Sequence, residues 1–293
     1  MPGLIDQFRY QVRIADTLQR LIGVNVVVFV LLRLTNVIST LFLHPVLDLM
    51  TVKTWLAIPS SPLQLITHPW TIITYMFVHW DFMHILFNML WLYWFGRIMK
   101  EFLGSKKLLA TYLLGGLAGG LTYVLAYNTL PYFAGQSADS FAIGASASTM
   151  AITIATATLL PDYTLPLLFF GPVKLKWIAL ITLLLDLINL NSGNAGGHIA
   201  HIGGAIFGYV YVVMLRKGTD LSGWLQRLLT SKRNPSKHWK VEKSNRGSDE
   251  DFVKRKKDRQ ERLDEILDKI GKSGYESLSA AEKEFLFKAS KEE

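Results

Sequence analysis

Long apolar runs constrain this chain more than any other feature. They lie at about 21–43, 82–103, 107–130, 144–160, 174–190 and 198–216. A helix needs about 20 apolar residues to cross a bilayer, and backbone groups in lipid must be satisfied within a helix or a closed barrel. The runs are too long and too continuous for barrel strands, so they predict helices. Composition agrees: 50% of the 293 residues are hydrophobic and only 18% are charged. The expected fold is all-α, a polytopic six-helix membrane bundle with a small cytoplasmic C-terminal helical hairpin.

Loop charge sets the expected orientation. Arg9, Arg13 and Arg20 precede the first run, Arg97 and Lys100 stand in the last turns of the second with Lys106 and Lys107 after it, Lys174 and Lys176 follow the fourth, and Arg216 ends the sixth with Lys217 after it. The opposite loops carry Lys53 and no Lys or Arg in 131–143 or 191–200. Positive charge stays cytoplasmic, so both termini are expected inside. The polar, Arg-bearing segment 1–20 resembles no cleaved signal peptide and has the spacing of a short interfacial helix. The chain has no cysteine, which excludes disulfides, thiolate zinc sites and a cysteine nucleophile.

Beyond the last run, residues 217–260 hold thirteen Lys or Arg against six Asp or Glu. Such a segment satisfies topology and touches anionic lipid; it carries no nucleic-acid-binding motif. The expected organisation is a cytoplasmic segment 1–20, a membrane domain 21–216, a basic linker 217–257 and a hairpin 258–293. Leu263, Ile266, Leu267 and Ile270 stand at helical spacing, Gly271–Leu278 reads as a turn, and Ser279-Ala280-Ala281-Glu282 is a capping box.

Few polar residues interrupt the runs. His84 and Asn88 share one face of the second; alone, the pair reads as interhelical glue. Gly115, Gly116, Gly119 and Gly120 in the third, and Gly204 and Gly208 in the sixth, admit close helix packing. Ser146 opens the fourth, with Ser148 about 200° round the helix. Asp186 lies near the outer end of the fifth, where local bonding is the plainer reading. His198 and His201 open the sixth. The long outer loop 44–78 is rich in Trp and Pro and reads as a cap lying in the interface.

Depth brings these groups together. At about 1.5 Å per residue, His84, Ser146 and His201 reach one level in the outer leaflet, with Asn88 a turn deeper. A serine beside a histidine is the minimum for nucleophilic catalysis, because an unassisted hydroxyl is a weak nucleophile. The imidazole takes the proton and returns it to the leaving amine. His84, Asn88 and the Ser146 backbone N–H are suited to stabilising the oxyanion. No aspartate is expected to orient His201, so a dyad is expected rather than a triad.

Three blocks now resemble one family: His84-Ile85-Leu86-Phe87-Asn88, Gly144-Ala145-Ser146-Ala147, and Ala200-His201-Ile202-Gly203-Gly204 with Gly208. Their order and spacing resemble the six-helix core of rhomboid intramembrane serine proteases over roughly 20–216. The resemblance implies Ser146 as nucleophile, His201 as general base and acid, and His84, Asn88 and the Ser146 amide as oxyanion hole. Gly144, Ala147, Gly204 and Gly208 support them. It also implies an outward-facing aqueous cavity and single-span membrane proteins as substrates, with no cofactor, metal or nucleic-acid partner. The family's usual Gly-x-Ser-Gly ends here in Ala147, which adds a methyl beside the oxyanion loop and removes no catalytic atom. Met150 stands where the family often has a tyrosine stacked on the catalytic histidine, and Trp70-Thr71 where it often has Trp-Arg.

The expected setting is the bacterial inner membrane. Three other readings compete: an inactive rhomboid-like protein binding client helices, a transporter or metal site built on His79, His84, His198 and His201, and a structural bundle in which each polar residue is glue.

Overall fold

The computed structural model describes residues 15–42, 49–135, 140–167, 171–191, 193–229 and 249–289. It divides into one unit over residues 1–231 and another over 232–293. The interfacial helix expected within 1–20 falls mostly outside the described residues, as does the 230–248 part of the 217–257 linker.

In the first unit the apolar runs are helices α1 (Thr17–Leu41), α5 (Phe82–Leu103), α6 (Ser105–Thr129), α7 (Ser146–Leu159), α8 (Leu175–Ile188) and α9 (Ala195–Arg216). Shorter helices α2 (Leu49–Leu56), α3 (Pro62–Thr67) and α4 (Thr71–Thr74) lie in the outer loop, and α10 (Gly223–Leu229) follows α9. Among the described residues, three helices, α1, α6 and α9, are long and apolar enough to cross a membrane by length and composition. Asp16 caps α1 in a capping box with Gln19 and pairs with Lys100 at the end of α5. Lys100 holds the Asp16 carboxyl below its ordinary range. Arg216 donates to the Thr158 and Leu159 carbonyls at the end of α7. The basic flanks of α5 and α9 thus close the same helix ends that the loop charges mark.

At the centre stands α7, buried continuously from Ala147 to Ala157. Its seat is made of glycine. A Cβ on Gly204 would overlap the Ala147 carbonyl, and one on Gly208 the Ala151 carbonyl. On the facing helix, a Cβ on Gly119 would stand 2.5 Å from the Ala147 methyl, and one on Gly115 would overlap Ala151. Backbones of α7, α6 and α9 therefore approach as only small residues allow.

The outer loop is a clamp as well as a cap. Strand β1 (Ile58–Pro59) pairs antiparallel with β2 (Phe141–Ala142), matching Ile58 to Ala142. Where the resemblance implies a loop-anchoring arginine after Trp70, the ring of Trp70 stacks on Trp55 and its Nε1 donates to the Trp55 carbonyl at 2.8 Å. Tyr75 donates to the Gly116 carbonyl of α6, and Tyr112 to that of Met76. A second hairpin, β3 (Thr164–Leu167) with β4 (Gly171–Lys174), joins α7 to α8.

In the second unit, α11 runs from Asp249 to Ser273 and α12 from Ala280 to Ala289. The turn starts later than Gly271 suggests. One interior glycine costs a helix only about 1 kcal/mol, whereas Gly274 has φ +75 and ends α11. Ile266 and Leu278 are buried, Lys269 pairs with Glu282, and Arg262 lies over Phe285. The Lys269 ammonium and the Ser279 backbone N–H hold Glu282 down at about 2.

Two outcomes follow. Gly208→Ala, which must push the α7 and α9 backbones apart, is expected to lower stability by about 1–3 kcal/mol, measured by denaturant unfolding in detergent. Gly23→Ala, with open space around it, serves as the neutral control. Because the Glu282 pKa is depressed on folding, its stabilisation is present above the ordinary Glu value of 4.5. It is lost as pH falls toward about 2. Amide exchange of α12 should accelerate across that window and lose the dependence in Glu282→Gln.

Candidate active site

Ser146 is the first residue of α7, and Ala145 at the N-cap offers no side-chain bond. The first-turn N–H groups of a helix have no intrahelical partner and carry its positive end. The sequence before Ser146 fixes where that end points. Gly144 has φ +119, a conformation that side chains rarely adopt, and a Cβ there would come within 2.8 Å of the His84 ring. Its N–H donates to the Tyr75 carbonyl at 2.9 Å, and the Ala145 N–H donates to His79 Nε2 at 3.2 Å. With β2 paired to β1 just upstream, the turn into α7 is held from three directions. Burial, with the His84 ring beside it, pushes His79 down to about 3, so it accepts from Ala145 as a neutral imidazole.

Ser146, His201, His84 and Asn88 line one cavity of about 630 Å³, together with Met83, Phe87, Trp91, Phe141, Ala142, Ile143, Thr149, Met150, Asn194 and Gly197. That volume is in the range of small-ligand sites. All four residues singled out from the sequence for chemistry therefore meet in space. Asn88 donates through Nδ2 to the His84 carbonyl at 2.9 Å and accepts at Oδ1 from Thr149. Its amide retains one N–H for the cavity, since the NH₂ group has two donors. Ser148 is fully buried, turned to α6 where a Cβ on Gly116 would lie 2.5 Å from its Oγ. The 200° separation of the two serines is realised. Ala147 is also buried, faces Gly119 and does not line the cavity. Its methyl fills a helix contact instead of the cavity.

One expectation is overturned. Asp186 of α8 does reach His201: Oδ1 lies 2.9 Å from His201 Nδ1 and 2.7 Å from His198 Nδ1. A carboxylate only accepts, so both imidazoles donate. Local bonding of Asp186 is the plainer reading of the sequence; the partners are across the α8–α9 turn. Their positions carried the signal, because Asp186 near the end of one outer helix and His198 near the start of the next share a level. Among the described residues Asp186, His198 and His201 are also the trio whose ligand atoms lie close enough, within 4.8 Å, to hold a metal ion. His79 and His84, which the metal reading includes, form a separate edge-to-face pair at 5.0 Å.

A helical membrane protein that seats a serine at a helix N-terminus, and a histidine from the neighbouring helix, in one cavity is the class these observations define. Comparison with known proteins narrows it. Residues 67–218, just over half of the chain, match the Rhomboid domain, and the chain belongs to the rhomboid family. Residues 248–292 match a family of unknown function, DUF6576. RHOMBOID-like protein 12, mitochondrial, of Arabidopsis thaliana is 34% identical over 157 residues, 50% of this chain and 47% of that protein. Rhomboid protease GlpG of Salmonella newport (strain SL254) is 38% identical over 93 residues, 32% of this chain and 33% of that protein. The chain thus spans about half or less of the length of these relatives.

The absence of native cysteine makes the cavity directly testable. In Ser146→Cys the thiol is expected to react with a small water-soluble maleimide at least about tenfold faster than in Ser148→Cys, because burial withholds the thiol from reagent. Equal rates would contradict the placement of the two serines.

Proposed function

We propose that this chain is an intramembrane serine endopeptidase that cleaves single-span membrane proteins near the outer leaflet. The observation that carries the reading is that Ser146, His201, His84 and Asn88 converge on one cavity. Family membership supports it, and so does a relative whose name is that of a rhomboid protease.

In this reading Ser146 Oγ attacks the scissile carbonyl carbon while His201 Nε2 takes the hydroxyl proton. The carbonyl oxygen becomes an oxyanion held by the Ser146 backbone N–H, Asn88 Nδ2 and His84. The carbon–nitrogen bond then breaks, and the proton passes from His201 to the departing amine. Water, deprotonated by His201, attacks the acyl-serine ester. The acid product leaves and Ser146 regains its proton. Gly144, Ala147, Gly204 and Gly208 act through packing: they hold the turn and the α7–α9 contact on which the distances depend.

The same reading takes α1 and α5 to α9 as six membrane spans, within a domain of residues 21–216, with the basic flanks and both termini on the cytoplasmic side. At 14 residues each, α7 and α8 are short. Helix α7 is enclosed by neighbours and need not match the lipid thickness. The segment 1–20 precedes that domain, and the linker 217–257 and a cytoplasmic helical pair over 258–293 follow it. The names of the relatives carry both a mitochondrial and a bacterial setting, so a membrane, rather than the expected bacterial inner membrane, is the localisation retained.

Cleavage of a single-span reporter in liposomes containing EDTA tests the reading. Wild type and Ser148→Ala are expected to cut. Ser146→Ala and His201→Ala are expected to lose about 10³-fold or more, and Asn88→Ala about 10- to 10³-fold. Client binding without cleavage by wild type, over several reporters, would instead make this an inactive rhomboid-like protein.

A further inference from the structure

We propose that Asp186, clamped by His198, positions His201 for proton transfer, so that the site works as a Ser146–His201–Asp186 series. The inference rests on the reading of Ser146 and His201 as nucleophile and base, and adds a residue that reading does not need.

Asp186 is nearly enclosed, with its side chain 8% exposed. An ionised carboxylate is costly to bury unless it is hydrogen-bonded, and Asp186 lies where two N–H donors converge on one of its oxygens. An oxygen with two lone pairs accepts both. His198 and His201 are three apart on α9 and therefore neighbours on one face, their rings edge-to-face at 5.8 Å. Interhelical glue would need one of these bonds. Two donors on one oxygen fix the place of Oδ1 between the two rings, while Oδ2 is buried without a hydrogen-bond partner among the described residues.

The consequence falls on the tautomer of His201. With Nδ1 donating to Asp186, the proton of the neutral ring is on Nδ1 and the lone pair is on Nε2. His201 lines the cavity with Ser146, so Nε2 is the nitrogen left to receive the serine proton. When it does, the imidazolium forms with its Nδ1–H already on a carboxylate, a charge-assisted bond. Asp186 touches neither substrate nor the reacting atoms; it acts through His201. The 3₁₀ turn Asn189–Asn191 follows α8 directly, three residues after Asp186.

The test uses the full chain in liposomes, with reporter cleavage and labelling of Ser146 by a fluorophosphonate read side by side. Asp186→Asn is expected to lower kcat and the labelling rate by about 10²- to 10⁴-fold, with KM within about threefold of wild type, because an asparagine amide can donate to Nδ1 and impose the opposite tautomer. His198→Ala is expected to cost about three- to tenfold in kcat, the loss of one hydrogen bond. A ¹⁵N spectrum of histidine-labelled wild type should show His201 Nε2 unprotonated at mildly alkaline pH, and Asp186→Asn should reverse it. Asp186→Asn with kcat within about threefold of wild type would overturn the proposal, while loss of cleavage in Ser146→Ala would leave the protease reading standing. If Ser146→Ala cut as wild type, that underlying reading would fail instead. Wild-type His201 protonated on Nε2 overturns the proposal even if Asp186→Asn does not fold. Activity abolished by EDTA and restored by zinc would also overturn it, making Asp186, His198 and His201 a metal site.

Discussion

The contact between Gly204 and the Ala147 carbonyl is the one on which the rest of the molecule depends. It is among the tightest approaches between helices, close enough that a methyl on Gly204 would overlap the carbonyl. Ser146 is the residue before Ala147, and His201 is one helical turn before Gly204. The separation of these two side chains is therefore set within a turn of a contact between bare backbones. Such contacts do not yield by rotamer change, as side-chain packing can. A site whose function depends on sub-ångström placement gains from standing beside the stiffest region of its scaffold.

That contact fixes α7 against α9 but not the direction of the chain entering α7. The outer loop does that. Its strand β1 takes up β2, the Tyr75 carbonyl and the His79 ring accept from the Gly144 and Ala145 N–H groups, and the stacked Trp55 and Trp70 hold the loop to itself. Gly144 is the point where these restraints meet, since only its backbone conformation brings the turn onto the His84 ring. The oxyanion donors expected from α5 and from α7 thus share one support.

Much of this was legible in the sequence because membrane helices declare themselves by hydropathy and their depth follows from length. Residues 84, 146 and 201 could be brought to one level by counting, and Gly204 and Gly208 announced the close contact. The environment of Ala147 was not legible: whether its methyl faces the cavity or α6 depends on helix rotation, which hydropathy does not report. The Asp186–His201 bond was closer to reach. Asp186 stands near the end of its run and His201 near the start of the next, but a lone acid near a helix end has a cheaper local explanation, and only the packing of α8 on α9 decides between them. The helix beginning at Asp249 escapes a reading by periodicity because it starts in a charged stretch without apolar spacing.

Met150 connects these threads. It follows Ser146 by one turn, lines the cavity, and cannot hold an imidazole as an aromatic ring face can. A flexible thioether fits its neighbours without orienting them. In the proposed mechanism the orientation of His201 then comes from elsewhere, and Asp186 Oδ1 lies 2.9 Å from its Nδ1 and 2.7 Å from that of His198. Stacking would restrain the plane of the ring and leave its tautomer free. A hydrogen bond to Nδ1 restrains both. In the proposed mechanism the remaining freedom of the base is rotation of its own side chain, and that is the freedom a bond from Nδ1 to the Asp186 carboxylate would remove.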